Sequence, residues 1–145
     1  MRHQNIPASY LTLLKDNKVL LLRRFNTGFE DGNYSMIAGH VDPNESFSSC
    51  ILREATEEAG IILKPENIQV AHIMHRKSTY NNEERVDVFF IAKDWGGEIE
   101  NKEPHKCDDL SWFDLDFLPE NTIPYIKEAL HNINKNIPYS EFGWE

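Results

Sequence analysis

Cysteine is scarce. Cys50 and Cys107 are the only two in 145 residues, too few for a disulfide-stapled secreted scaffold. The opening MRHQNIPAS has no apolar stretch that would serve as a signal, so free thiols in a cytoplasmic protein are expected. Long apolar runs are missing too. No segment approaches the ~20 apolar residues a membrane-crossing helix needs, and no membrane partner is expected. Basic residues are outnumbered, 15 Lys and Arg against 24 Asp and Glu, for a net charge of −9. A surface of that sign repels polyanions, which argues against a long nucleic acid as partner. There is no repeat and no low-complexity tract.

What is present is ordinary for a globular protein. Hydrophobic residues make up 40% and charged residues 27%, and the length suits one domain over residues 1–145 with a core of its own. One stretch stands apart, GHVDPNESFSSCILREATEEAGI at 39–61. At roughly 100° per residue, Glu54, Glu57 and Glu58 share one helical face, at i, i+3 and i+4. Ile51, Leu52, Ala55 and Ala59 form the neighbouring apolar stripe. Left alone, the acids are unfavourable: like charges at i, i+4 cost a few tenths of a kcal/mol per pair. Arg53 cannot neutralise three carboxylates. A solvated acidic face is the plain explanation, and a divalent cation the alternative. Mg²⁺ takes oxygen ligands from one or two carboxylates, water and substrate phosphate.

The stretch resembles the signature of the Nudix (MutT-like) hydrolases, Gly-x5-Glu-x7-Arg-Glu-apolar-x-Glu-Glu-x-Gly-apolar. Gly39, Glu45, Arg53, Glu54, Glu57, Glu58 and Gly60 fill its fixed positions. Seven identities at ~6% usage each arise by chance below roughly one time in a million. The resemblance implies a Nudix-type α/β/α sandwich, with a mixed β-sheet between helices. Periodicity alone leads only to mixed α and β.

Around the signature, Tyr10–Leu14 and Val19–Leu22 read as a hairpin, ending in Arg23 and Arg24. Arg23 is a candidate phosphate contact, or else a solvated strand-end residue. FNTGFEDGN at 25–33 reads as a loop, either a plain connector or a flap whose Phe29 covers a base. Tyr34–Ala38 reads as one short strand delivering Gly39. Helix entry is open between an Asp42-Pro43-Asn44-Glu45 capping box and a later cap at Asn44 or Ser46; Gly60 ends the helix. Residues 68–75 and 85–92 read as strands, with His72 and His75 on opposite faces. Ser111–Asp114 reads as the final strand and residues 124–136 as a helix. The tail IPYSEFGWE docks on the core, lines the pocket or meets a second subunit as a homodimer; docking is the expectation.

The resemblance implies a pyrophosphohydrolase dependent on Mg²⁺ or Mn²⁺, acting on a small nucleotide-type substrate. Glu54, Glu57, Glu58 and the Gly39 carbonyl are then metal ligands, and one of the three acids also orients or deprotonates the attacking water. Arg53 pairs with Glu45 or a ligating glutamate and holds the cluster. Glu103 is the candidate distal acid, with Asp108 and Asp109 behind it. Phe29, Arg23 and Tyr80 are the candidate substrate contacts, and Trp95 and Trp112 are further stacking candidates.

In that family a proline shortly after the signature accompanies ADP-ribose hydrolysis; here none lies between Pro65 and Pro104. Tyr80 lies near, without matching, the tyrosine that accompanies dinucleoside polyphosphates. A nucleoside triphosphate, canonical or oxidised, cleaved to monophosphate and pyrophosphate is therefore the expected substrate. ADP-ribose, dinucleoside polyphosphates and nucleotide sugars are alternatives. A non-catalytic nucleotide-binding regulator on the same fold would show a damaged glutamate cluster, and this one is intact.

Overall fold

The computed structural model describes residues 2–145. Strands β1 (Ile6–Lys15) and β2 (Lys18–Arg24) form the expected hairpin. Asp16 and Asn17 turn it with φ of 53° and 62°, the paired positive values of a two-residue type I′ turn. Their pairing lasts only for Leu14↔Val19 and Lys15↔Lys18, after which the two strands enter different arms of the sheet. β1 continues beside β4 (Ile37–His40), antiparallel, and β6 (Glu84–Ala92), parallel. β6 pairs with β5 (Ile68–Lys77), and β5 with β8 (Tyr139–Phe142), which runs parallel to it. The other arm is β3 (Tyr34–Ser35), β2 and β7 (Cys107–Asp114).

Apart from shifts of one to a few residues at element ends, the strand plan departs from expectation in three places. Residues 34–38 are two strands, because the chain crosses at Met36 from the arm of β2 to the arm of β1. β7 begins at Cys107, earlier than Ser111, since a polar sequence still completes a ladder against β2. It is also not the last strand. The tail residues 139–142 pair with β5, a non-local contact that local polarity does not announce.

Helix α1 (Phe47–Ala59) resolves its own entry. Ser46 is the N-cap, its Oγ accepting from the Ser49 amide at 3.0 Å. The Asp42–Glu45 exchange exists as well, the Asp42 amide donating to Glu45 at 3.0 Å, but as a turn before the helix. Gly60, at φ 69°, closes it through Thr56. Helix α2 spans Pro124–Asn134.

Strand alternation divides the core between the two helices. Leu11, Leu13, Ile37, Val88 and Phe90 meet Ile51, Ala55 and Ala59 of α1. Ala8, Tyr10, Met74 and Phe89 meet Ile126, Ala129, Leu130 and Ile133 of α2. β1 and β6 are thus covered on both faces, which explains the unbroken apolar run Val88–Ala92 and a run in β1 interrupted only by small hydroxyl residues. Each such large side chain contributes about 1.5–3 kcal/mol through burial. The result is a mixed sheet between two helices. Among the described residues no helix is long and apolar enough to cross a membrane.

Candidate active site

Burying Ile51, Ala55 and Ala59 leaves the adjacent arc of α1 beside β4. Glu54, Glu57 and Glu58 therefore line one wall of a cavity of about 590 Å³, together with Gly39 and Glu103. A Cβ placed on Gly39 would lie 1.7 Å from Oε2 of Glu54. Glycine leaves the room for this close approach of strand and carboxylate, and a larger residue would push the Glu54 side chain aside.

Arg53 organises the acids. Its Nε and Nη2 donate to the two oxygens of Glu45, at 2.8 and 3.0 Å, the two-pronged geometry that suits guanidinium and carboxylate. Nη1 reaches Glu54 at 3.1 Å and Glu57 at 3.2 Å. The Arg53 hydrogen bonds hold the Glu45 carboxyl down at about 2, with the Asp42 amide helping. Glu54 and Glu58 go the other way. Burial raises both; the hydrogen bond with Glu57 adds at Glu54, and the Glu54 charge adds at Glu58. Only the Ala38 amide, donating to Glu58 at 3.2 Å, and the more distant Arg24 charge oppose the shift there.

Such a wall has more negative charge than one arginine balances. Its donors are hard oxygens, the type that Mg²⁺ and Mn²⁺ prefer. Among the described residues no three acidic, His or Cys side chains already form a closed cage. Mg²⁺ does not need one, since it keeps water and borrows substrate phosphate. The residues fit a hard divalent cation, and Glu54, Glu57, Glu58, Glu103 and the Gly39 carbonyl would hold it.

The other sequence candidates separate. Phe29 and Tyr80 both line the cavity. They come from different loops and meet edge to face, ring centres 5.1 Å apart. The Tyr80 hydroxyl donates to Glu30 at 2.5 Å, tying the two loops together. Arg23 is not at the cavity. Successive strand residues face opposite sides, so Arg23 pairs with Asp108 at 2.7 Å and Arg24 takes the cavity side. Arg24 donates from Nε to the Phe29 carbonyl at 2.7 Å, steadying the 25–33 loop. Asp109 accepts from Tyr34 and Ser111, and neither it nor Asp108 joins Glu103 at the wall. Trp95 and Trp112 stack on each other, centres 6.0 Å apart, against the α1 side of the core. They have no access to a base in the cavity.

Sequence reasoning missed Lys106, Arg76, Arg85 and His40, all of which line the cavity. The alternation of β5 places Arg76 on the same inward face as His72 and Met74, both fully buried. A charged residue in phase with buried positions is the signal that was there to be used.

Comparisons agree with the geometry. The NUDIX domain family matches residues 5–133. The NAD-capped RNA hydrolase NudC of Chromobacterium violaceum is 32% identical over 122 residues, 84% of this chain and 43% of that one. The ADP-ribose pyrophosphatase of Methanocaldococcus jannaschii is 30% identical over 112 residues, 73% of this chain and 60% of that one. This chain thus spans less than two thirds of the length of these curated relatives. Among solved structures, the MutT NUDIX hydrolase from Burkholderia pseudomallei superimposes with a TM-score of 0.81 at 27% identity, covering 89% of this chain and 98% of that one. A MutT protein from Methanosarcina mazei Go1 shares the fold, with a TM-score of 0.77 at 21% identity over 93% and 96% of the two chains. With the family pattern running through most of its length and the same sandwich recurring in a solved relative, this chain belongs to the NUDIX family of hydrolases.

Proposed function

We propose that the chain is a divalent-metal-dependent pyrophosphohydrolase that cleaves a nucleoside triphosphate to monophosphate and pyrophosphate. The observation that carries this reading is the wall of Glu54, Glu57, Glu58 and Glu103 in a cavity of about 590 Å³, a volume in the range of small-ligand sites. A net charge of −9 favours a short anion held through metal over a long RNA.

A bound Mg²⁺ or Mn²⁺ supplies neutralisation of phosphate oxygens and a lowered pKa for coordinated water. The chain's own residues do the rest. Arg53 holds Glu54 and Glu57 in place while anchored on Glu45, and the Ala38 amide orients Glu58. Arg24 and Lys106 bring positive charge to the same cavity for phosphate oxygens not met by metal. Water adds at phosphorus, the bridging P–O bond breaks, and a carboxylate of the wall accepts the water's proton. Phe29 and Tyr80 cover the non-phosphate end of the substrate.

A second reading is hydrolysis of a phosphate bridge between a nucleoside and a second group, as in ADP-ribose, dinucleoside polyphosphates or nucleotide sugars, favoured by relatives named for NAD-capped RNA and ADP-ribose. Product identity separates the two, since only triphosphates of this kind release inorganic pyrophosphate. The test is a substrate panel with Mg²⁺ and with Mn²⁺, repeated after chelation and dialysis. Pyrophosphate release that stops on chelation and falls by orders of magnitude in Glu57→Gln is expected. Turnover unchanged without metal, or full activity in that variant, would contradict the assignment.

A further inference from the structure

From the structure we infer that Arg76 is a specificity-determining residue, one that selects nucleobases offering two adjacent hydrogen-bond acceptors, guanine over adenine. The inference rests on the nucleotide reading above and concerns the opposite end of the same cavity. In the sheet, β4, β1, β6 and β5 are successive neighbours. Arg76 on β5 is three strands across from Gly39 on β4 and three residues further along, roughly 17 Å at the usual spacings. A substrate whose phosphates sit at the acidic wall extends its base toward Arg76.

The Arg76 side chain is only 7% exposed, yet it lines the cavity. Its Nε donates to Asp87 Oδ2 at 2.7 Å, and its guanidinium carbon lies 3.7 Å from the centre of the Tyr125 ring. These contacts fix the plane of the group. Nη2 has only a long contact, 3.5 Å, to the Tyr10 hydroxyl, and Nη1 has no acceptor among the described residues. Nη1 is not among the enclosed atoms that lack a partner, so it is open to whatever fills the cavity, and a ligand that accepts there takes the place of water.

Charge balance decides what kind of acceptor. Asp87 serves both Arg76 and, at 3.8 Å, Arg85; Glu83 lies 3.7 Å from Arg85. His40 Nε2 takes a hydrogen bond from Arg85 Nη2 at 2.9 Å, which needs an unprotonated nitrogen. Two guanidinia thus face two carboxylates and a neutral ring. No excess positive charge calls for a second phosphate; Arg85 Nε and Asp87 Oδ1, enclosed and 3.8 Å apart, are left to each other, and the terminal nitrogens of Arg76 are the donors a neutral acceptor in the cavity can meet. Arginine pairs with the O6 and N7 of guanine, whereas adenine presents an amino donor beside N7. Cytosine offers the same chemistry through O2 and N3.

The test compares kcat/KM for GTP, 7-deaza-GTP, CTP and ATP, read as pyrophosphate release, in the wild type, Arg76→Lys and Arg76→Gln. GTP or CTP is expected to exceed ATP by about 10- to 100-fold, the discrimination of a good two-point contact. In Arg76→Gln the ratio should collapse toward one while pyrophosphate is still released. A loss with 7-deaza-GTP identifies guanine as the source of the acceptors, and CTP ahead of GTP identifies cytosine. ATP handled as well as both, or a base ranking that survives Arg76→Gln, overturns the inference and leaves the proposed function standing. No pyrophosphate from any triphosphate removes the proposed function itself. Should the Arg76 variants fail to fold, wild-type turnover of ATP equal to that of GTP and CTP still overturns the inference.

Discussion

Glu58 and Glu45 lie in one signature and respond to pH in opposite directions. The Glu58 carboxyl is raised by burial and by Glu54, so its charged form is disfavoured in the folded state. For such a group the destabilisation grows as pH rises above the unfolded value near 4.5 toward the folded one. Glu45, held at about 2 by Arg53, contributes stability above that unfolded value and loses it between about pH 4.5 and 2. Metal-free protein should therefore melt at higher temperature as pH is lowered from 8 toward 5, then lose stability below about 4.5. Glu58→Gln should flatten the upper limb, raise the melting temperature of metal-free protein at pH 8 and abolish its rise with Mg²⁺. Calorimetry across pH, with and without Mg²⁺, checks this; a lower melting temperature for the metal-free variant at pH 8 would refute it. Gly39 invites a second substitution. The Cβ of Gly39→Ala meets the mobile end of Glu54, so the fold should survive with a melting shift of only a few degrees while hydrolysis falls at least about tenfold. Unaltered kinetics in that variant would remove the reason given for the glycine.

α1 was legible before the structure was known, because everything that makes it is local. Its apolar stripe, its acids and its terminal glycine follow from 3.6-residue periodicity, and only the choice of Ser46 over an earlier cap needed coordinates. The loops were not legible in the same way. That 25–33 is a loop follows from its glycines and asparagines. That Phe29 meets Tyr80, fifty-one positions later, depends on where β5 and β6 set their turn. Tyr80→Phe keeps the ring contact and removes the hydroxyl bond to Glu30. An exposed hydrogen bond contributes little to stability but helps hold the two loops together, so KM should rise about two- to fivefold with kcat nearly constant. A selective fall in kcat would instead place Tyr80 in the chemistry.

At the scale of the molecule, the cavity exists because β1 and β2 part company after two pairs, one arm supplying Arg24 and the other Arg76 and Arg85. The tail closes the far edge. β8 lies on β5, and His72, fully buried, bonds through one ring nitrogen to the Ile137 carbonyl and through the other to Ser140, each at 2.7 Å. Gly143 seals this junction at φ 86°, where a Cβ would lie 2.1 Å from the Lys77 carbonyl oxygen. Backbone cannot move aside as a side chain can. Gly143→Ala should cost at least about 1–2 kcal/mol from its conformation alone and expose β5 to faster amide exchange. Wild-type exchange along β5 in that variant would show that the tail contributes little.

The sequence by itself pointed to the family, through the resemblance carried by the fixed residues of 39–61, and to the acidic helix and most strands, which are written in residues close enough along the chain to share one periodicity. Only the tertiary structure decided which arginine faces the cavity, that Trp95 and Trp112 pack against the core, and that Arg76 lines the same cavity as the acids. Those outcomes depend on register and on contacts between residues tens of positions apart. A one-residue change of register exchanges every inward side chain for an outward one.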